Sequence, residues 1–278
     1  METDEASLLF GSLGNAGRLR VFRLLMRRAP QGVRPGEIAE ALDIRPSTLS
    51  VYLSALDGAG LIRSRREGRA IYYSVDIEAA GALAEFFIAD CCRGRPDIYP
   101  PAAAAGSADP AEAPPRPLNV LFMCTGNSAR SIMAEAILAS EGGARFRAHS
   151  AGTRPWGAVN PLALDVLRRN GHDVSALRSK SVAEFTGADA PAMDFVFTIC
   201  DHAAAEECPR WPGQPMNAHW GVAYPCTRDL DAGESAAVLD RTYVELQARV
   251  RAFMALPMAD LGQVALQHHL DRIGLNGG

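Results

Sequence analysis

The stretch "VLFMCTGNSARSIMAEA", residues 120–136, decides the fold of the second half of this chain. The apolar run "LNVLFMC" (118–124) ends in Cys124 and reads as a buried parallel strand. "SIMAEAILAS" (131–140) reads as a helix. Between them, "TGNSAR" makes a strand–loop–helix turn, where backbone N–H groups converge on an anion at the helix N-terminus. Gly126 lets the backbone come close, and the planar fork of Arg130 suits two oxygens of one anion. Such a positive setting favours the thiolate of Cys124, which is its nucleophilic form. Thr125, Gly126, Asn127, Ser128, Ala129 and Arg130 are therefore the expected oxyanion cradle. Ser128 is expected to hydrogen-bond the sulfur and Asn127 to brace the loop. Cys-x5-Arg alone is a weak signal; its place between a strand and a helix gives it force.

The chain has 278 residues, 48% hydrophobic and 22% charged, which suits ordinary folded cores and two domains. The opening "METDEASLLF" lacks the basic flank and long apolar core of a signal peptide, and no apolar run is long enough to span a membrane. A cytoplasmic protein without membrane contact is the expectation. The net charge of −4 is unevenly spread. Residues 1–100 hold 13 arginines and 13 acidic residues, so the deficit lies in the remainder. A neutral first half admits nucleic-acid binding if its arginines cluster on one face. Adjacent Cys91 and Cys92 argue against a secreted disulfide framework for the six cysteines and favour thiol or soft-ligand chemistry. "PPAAAAGSADPAEAPPRP" (100–117) has no bulky aliphatic or aromatic residue and reads as a flexible linker. It divides a first domain, 1–99, from a second, 118–278.

In the first domain, "AGRLRVFRLLMRR" (16–28) places Leu19, Phe22, Leu25 and Met26 on one helical stripe. "RPGEIAEALDI" and "RPSTLSVYLSALDGAGLI" read as two short helices a few residues apart, the second entered at Pro46. Leu49, Leu53 and Leu56 would face the core, leaving Ser47, Thr48, Ser50 and Tyr52 for DNA. "LIRSRREGRAIYYSV" follows as a hairpin turning at Glu67-Gly68, with Arg63, Arg65, Arg66 and Arg69 placed to grip phosphates. In this order the elements, over about residues 6–98, resemble the ArsR/SmtB family of metal-responsive winged-helix repressors. The resemblance implies a homodimer through this domain, bound to operator DNA and released by an inducer. Cys91 and Cys92, at the end of the closing helix, are the soft thiols that arsenite seeks. A third ligand is not found locally, since the following segment reads Ile98-Tyr99.

Further along, "SAGTRP", "NPLALDVLRRNGHDVSALRSKS", "DFVFTICD" and "CPRWPGQPMNAHWG" follow the cradle in order. From about residue 117 these resemble the low-molecular-weight tyrosine phosphatase fold, specifically its arsenate reductase branch. The fold class expected is thus a mostly α winged helix-turn-helix domain followed by an α/β domain with a central parallel sheet. The resemblance implies that Cys124 attacks arsenate, and that Cys200 and Cys208 carry the oxidation away. The product is arsenite, and an external thiol reductant, thioredoxin or glutathione/glutaredoxin, is required with no organic cofactor. Relatives place Asp before Pro after the "HWG" segment as general acid, whereas this chain has Tyr224, a far weaker proton donor. Asp194, Asp201, Asp229 and Asp231 are the carboxyls left to substitute. Two other readings stay open: a regulator whose phosphatase-like domain only senses an oxyanion or aids dimerisation, and a phosphatase fused to a repressor.

Overall fold

A computed structural model describes residues 1–92, 116–187, 189–206, 211, 215–223, 232–258 and 260–275. The chain divides into two compact units, Met1–Ala108 and Asp109–Gly278. The segment 100–117, expected as a linker, lies outside the described residues except for Arg116 and Pro117.

The first unit is helical, with one hairpin. Helices α1 (Thr3–Leu13), α2 (Ala16–Arg28), α3 (Pro35–Leu42) and α4 (Pro46–Gly58) precede β1 (Ile62–Glu67) and β2 (Ala70–Val75), and α5 (Ile77–Glu85) closes it. Local chemistry explains the boundaries. Asn15 and Asp76 accept N–H bonds from Arg18 and Ala79 at the starts of α2 and α5. Pro35 and Pro46 occupy first-turn positions, where their missing N–H costs nothing. Asp43 ends α3 in the left-handed region (φ 50°), which turns the chain into the second helix of the pair. Gly68 takes a φ of 59° at the first turn position between the paired Glu67 and Ala70.

The core of this unit takes Leu49, Leu53 and Leu56 from α4, as expected. Helix α2 differs. It buries Val21, Leu24, Leu25 and Arg28, while Leu19 and Met26 stand 39% and 41% exposed. Aliphatic residues crowd this helix so closely that two overlapping stripes fit its sequence. The rotation is set by its neighbours instead: the Tyr52 ring of α4 lies against Gly17, where a Cβ would stand only 2.4 Å from it.

The second unit is a four-stranded parallel sheet. Strands β3 (Leu118–Cys124), β4 (Phe146–Gly152), β5 (Phe195–Thr198) and β6 (Met216–His219) lie in the order β4-β3-β5-β6. Around them are α6 (Arg130–Glu141), α7 (Pro161–Arg169), α8 (Asp201–Ala205), α9 (Ala232–Met254) and α10 (Gln263–Leu275). Alternate residues of β3 serve opposite faces. Val120 and Phe122 join the larger core with α6, α7, α9 and α10, and Leu121 and Met123 join a smaller one with Phe185 and Met193. The chain leaves β3 toward β4 and returns to β5 on β3's other side. The carboxyl ends of β3 and β5 therefore flank the switch point, where open α/β sheets form their crevice. Cys124 ends β3, and Cys200 lies just beyond β5.

Candidate functional site

Cys124 is buried, and its sulfur meets two donors. The backbone N–H of Asn127 reaches Sγ at 3.2 Å, and the Ser131 hydroxyl lies 3.0 Å away. The hydroxyl on the sulfur is thus Ser131, from the first turn of α6, rather than the expected Ser128. Ser128 is buried, and its carbonyl accepts the Asn160 N–H (2.9 Å).

The cradle is held from outside by the segment after β4. Thr153, Arg154, Trp156 and Asn160 donate backbone N–H bonds of 2.9–3.1 Å to the carbonyls of Cys124, Thr125, Gly126 and Ser128. With its carbonyls drawn to one side, the loop has its Asn127 N–H facing the thiol, the kind of contact from which a backbone anion nest is built. Asn127 sits at a φ of 42°, a region asparagine tolerates better than most residues. Its amide donates to Ser131 (2.9 Å) and Ser150 (2.8 Å), and its carbonyl accepts the Lys180 N–H (2.6 Å). These contacts tie Asn127 to α6, β4 and Lys180. Ser150 in turn donates to Glu135 (2.6 Å), whose carboxylate pairs with the buried ammonium of Lys180 at 2.6 and 2.8 Å. Neither Ser131 nor the Glu135–Lys180 pair was singled out from sequence. The available signal was the helical spacing of Ser131 and Glu135 on α6, one turn apart.

Two glycines give the cradle room. A Cβ on Gly126 would come within 2.8 Å of the Trp156 indole. One on Gly152 would stand 2.7 Å from the Thr125 carbonyl oxygen and 2.9 Å from the Asn127 Cβ. Ala129 forms the entry to α6, and Arg130 is its first residue, buried, with one guanidinium nitrogen donating to the Val222 carbonyl (2.9 Å). That carbonyl is fixed by the "HWG" segment. Trp220 is fully buried, stacks on Phe197 at 3.9 Å between ring centres, and donates its indole N–H to Leu270 (3.1 Å).

Cys200 caps α8, its sulfur accepting the Ala203 N–H (3.4 Å), and the Thr125 hydroxyl lies 3.5 Å from the same sulfur. Cys124, Cys200 and Ala203 pack as one buried cluster, so two of the three expected thiols share the crevice. Cys208, the third, lies outside the described residues, as do Tyr224, Cys226, Asp229 and Asp231. Of the two described carboxyls among the expected proton donors, Asp194 stands at the other end of the sheet. It pairs with Arg116 (2.8 and 2.7 Å) and accepts the Asn119 N–H (2.7 Å) just before β5. Asp201, next to Cys200, accepts from the buried His219 (3.0 Å) and is the one on the crevice side.

In the first unit, Ser47, Thr48 and Ser50 are exposed on α4. Tyr52 is half-buried against Gly17, so its ring serves packing between helices. Arg63, Arg65, Arg66 and Arg69 are all exposed on the hairpin. Arg63 pairs with Asp76 (2.6 Å) and Arg65 with Glu67 (2.7 Å), while Arg66 donates to the Gly68 carbonyl (3.3 Å). Cys91 is exposed and Cys92 half-buried, at the end of a π-helical turn, Phe86–Cys91, that extends α5. Among the described residues, no group of three or more His, Cys, Asp or Glu side chains is arranged to hold a metal ion. Nor is any described helix long and apolar enough to cross a membrane.

The profile of the low molecular weight phosphotyrosine protein phosphatase family matches residues 119–262, and that of a helix-turn-helix domain matches residues 13–65. An arsenate reductase of Halalkalibacterium halodurans is 34% identical over 134 residues, covering 48% of this chain and 93% of the relative. An arsenate reductase of Bacillus subtilis is 32% identical over the same length, with the same coverage. A solved structure described as an arsenate reductase in the phosphate binding state is 27% identical, covering 50% of this chain and 97% of its own, with a TM-score of 0.41.

Proposed function

Because this chain belongs to the low molecular weight phosphotyrosine protein phosphatase family and its second unit is about a third identical to enzymes named arsenate reductases, we propose that it couples arsenate reduction to arsenic-responsive repression. The observation that carries the reading is the buried cluster of Cys124 with Cys200 beside the braced cradle. A phosphatase needs the first thiol alone, whereas a reductase needs a second within reach.

In this scheme the cradle N–H groups and Arg130 hold arsenate with its arsenic facing Cys124. The thiolate, stabilised by the Asn127 N–H and the Ser131 hydroxyl, bonds to arsenic, and one oxygen leaves as water after taking up protons. Asp201, as the crevice-side carboxyl, is the proposed substitute for the acid that Tyr224 replaces. Cys200, deprotonated, then attacks the Cys124 sulfur. The sulfur–arsenic bond breaks, its electron pair reduces arsenic to the trivalent state, and arsenite departs. Cys208 attacks Cys200, freeing Cys124 and moving the disulfide to Cys200–Cys208. Thioredoxin or glutathione/glutaredoxin returns that disulfide to two thiols. Residues 1–99 are the proposed sensing and DNA-binding domain, a homodimer on operator DNA, with Cys91 and Cys92 supplying two thiolates for arsenite. Residues 100–117 are the proposed linker and 118–278 the reductase.

Purified full-length protein with arsenate, NADPH and either thioredoxin with its reductase or the glutathione/glutaredoxin system tests the enzyme. NADPH oxidation that is lost in Cys124→Ser, Cys200→Ser and Cys208→Ser supports it. Aryl phosphate hydrolysis without arsenate-dependent NADPH loss would support the phosphatase reading, and neither activity would support the sensor.

A further inference from the structure

Helix α8, which Cys200 caps, has only five residues, too few to stand by itself. Its own cap is the sulfur of Cys200. Two contacts from outside hold its ends. At the N-terminal end, Asp201 accepts from His219, a buried ring whose other nitrogen lies 2.8 Å from the Thr198 hydroxyl. Gly221 makes this approach possible, because a Cβ there would meet His219 Nε2 at 2.7 Å and Asp201 Oδ1 at 3.1 Å. Just past the C-terminal end, Glu206 accepts from Arg154 Nε (3.1 Å) and from its NH2 group. Arg154 also donates its backbone N–H to the Thr125 carbonyl (2.9 Å), so this second contact ties α8 to the cradle itself.

These contacts stand in the way of one step of the proposed thiol relay, on which this inference rests. Cys200 must stay beside Cys124 for the first disulfide and then leave it for Cys208. Departure takes the sulfur out of the cap and so removes the local reason for α8 to be helical. We infer that Arg154 and His219 are positioning residues that clamp α8 through Glu206 and Asp201. They hold Cys200 against Cys124, and their release sets how readily Cys200 leaves the crevice. Neither touches the reacting sulfurs; both act through the placement of α8.

The test uses reduced full-length protein without arsenate. Iodoacetamide labelling, followed in time by mass spectrometry of the Cys124 and Cys200 peptides, reports how often each thiol opens to solvent. In Arg154→Gln and in Asp201→Ala, Cys200 labelling should rise about threefold to fivefold, as expected for loss of a partly exposed polar contact, with Cys124 labelling unchanged. Arg154→Lys, which keeps the charge, should restore part of the protection. Unchanged Cys200 labelling in both variants would overturn the clamp, and so would a parallel rise at Cys124, which marks general loosening. Since no arsenate is present, the outcome is independent of whether the protein reduces it.

Discussion

The hydroxyl beside the Cys124 sulfur belongs to Ser131, although Ser128 sits within the loop and looks the nearer choice. Both serines were visible in the sequence. Which one points at the thiol depends on the path of the loop, and that path follows from the left-handed conformation of Asn127 and the four carbonyls drawn toward residues 153–160. Sequence spacing carries no such information. A hydroxyl bond to a thiolate is charge-assisted, so Ser131→Ala should slow arsenate reduction about tenfold to a hundredfold, and Ser128→Ala far less. Stopped-flow measurement of the first turnover distinguishes them. A second residue-level expectation concerns His149, packed against Phe185 at 5.4 Å. Burial, with Lys180 and Arg147 nearby, lowers its pKa from 6.5 to about 4. The unfolded chain therefore takes up a proton below 6.5 that the folded chain refuses. Stability should be flat above pH 6.5 and fall as the pH drops toward about 4. His172, also lowered chiefly by burial, acts in the same direction. Urea unfolding of His149→Gln across this range should show a shallower loss than the parent.

At the scale of elements, α2, α3, α4, α6 and the hairpin were legible because their periodicities, turns and caps are local, and β3 because its apolar run is unbroken; α1, α7, α9 and α10 were not singled out. The rotation of α2 was not legible, since Tyr52 against Gly17 decides it from another helix. Nor was the role of Gly152, which appears in sequence only as part of "SAGTRP". Its missing Cβ is what allows β4 to lie against the cradle, with the Thr125 carbonyl 2.7 Å from where that carbon would be. A backbone atom cannot rotate aside, so Gly152→Ala should displace the cradle. The expected cost is on the order of 2 kcal/mol of stability, with a disproportionate loss of activity. Gly126→Ala meets first the rim side chain Trp156, 61% exposed, which can move aside, and should be milder. Thermal unfolding and arsenate turnover of the two variants, compared side by side, check the ranking.

For the whole molecule, the proposed pairing of two functions on one chain accounts for a cradle that begins at residue 124. A unit with a helix-turn-helix domain comes first. The general acid is the part least readable from sequence, since the resemblance implies a carboxylate where this chain has Tyr224, and only position in the fold separates Asp194 from Asp201. The central claim is that the second unit makes the ligand the first unit senses. The direct measurement is an operator-linked reporter in cells lacking every other arsenate reductase, carrying either the parent protein or Cys124→Ser. The account predicts that arsenite induces both equally, while arsenate induces only the parent. An equal arsenate response from Cys124→Ser would contradict it.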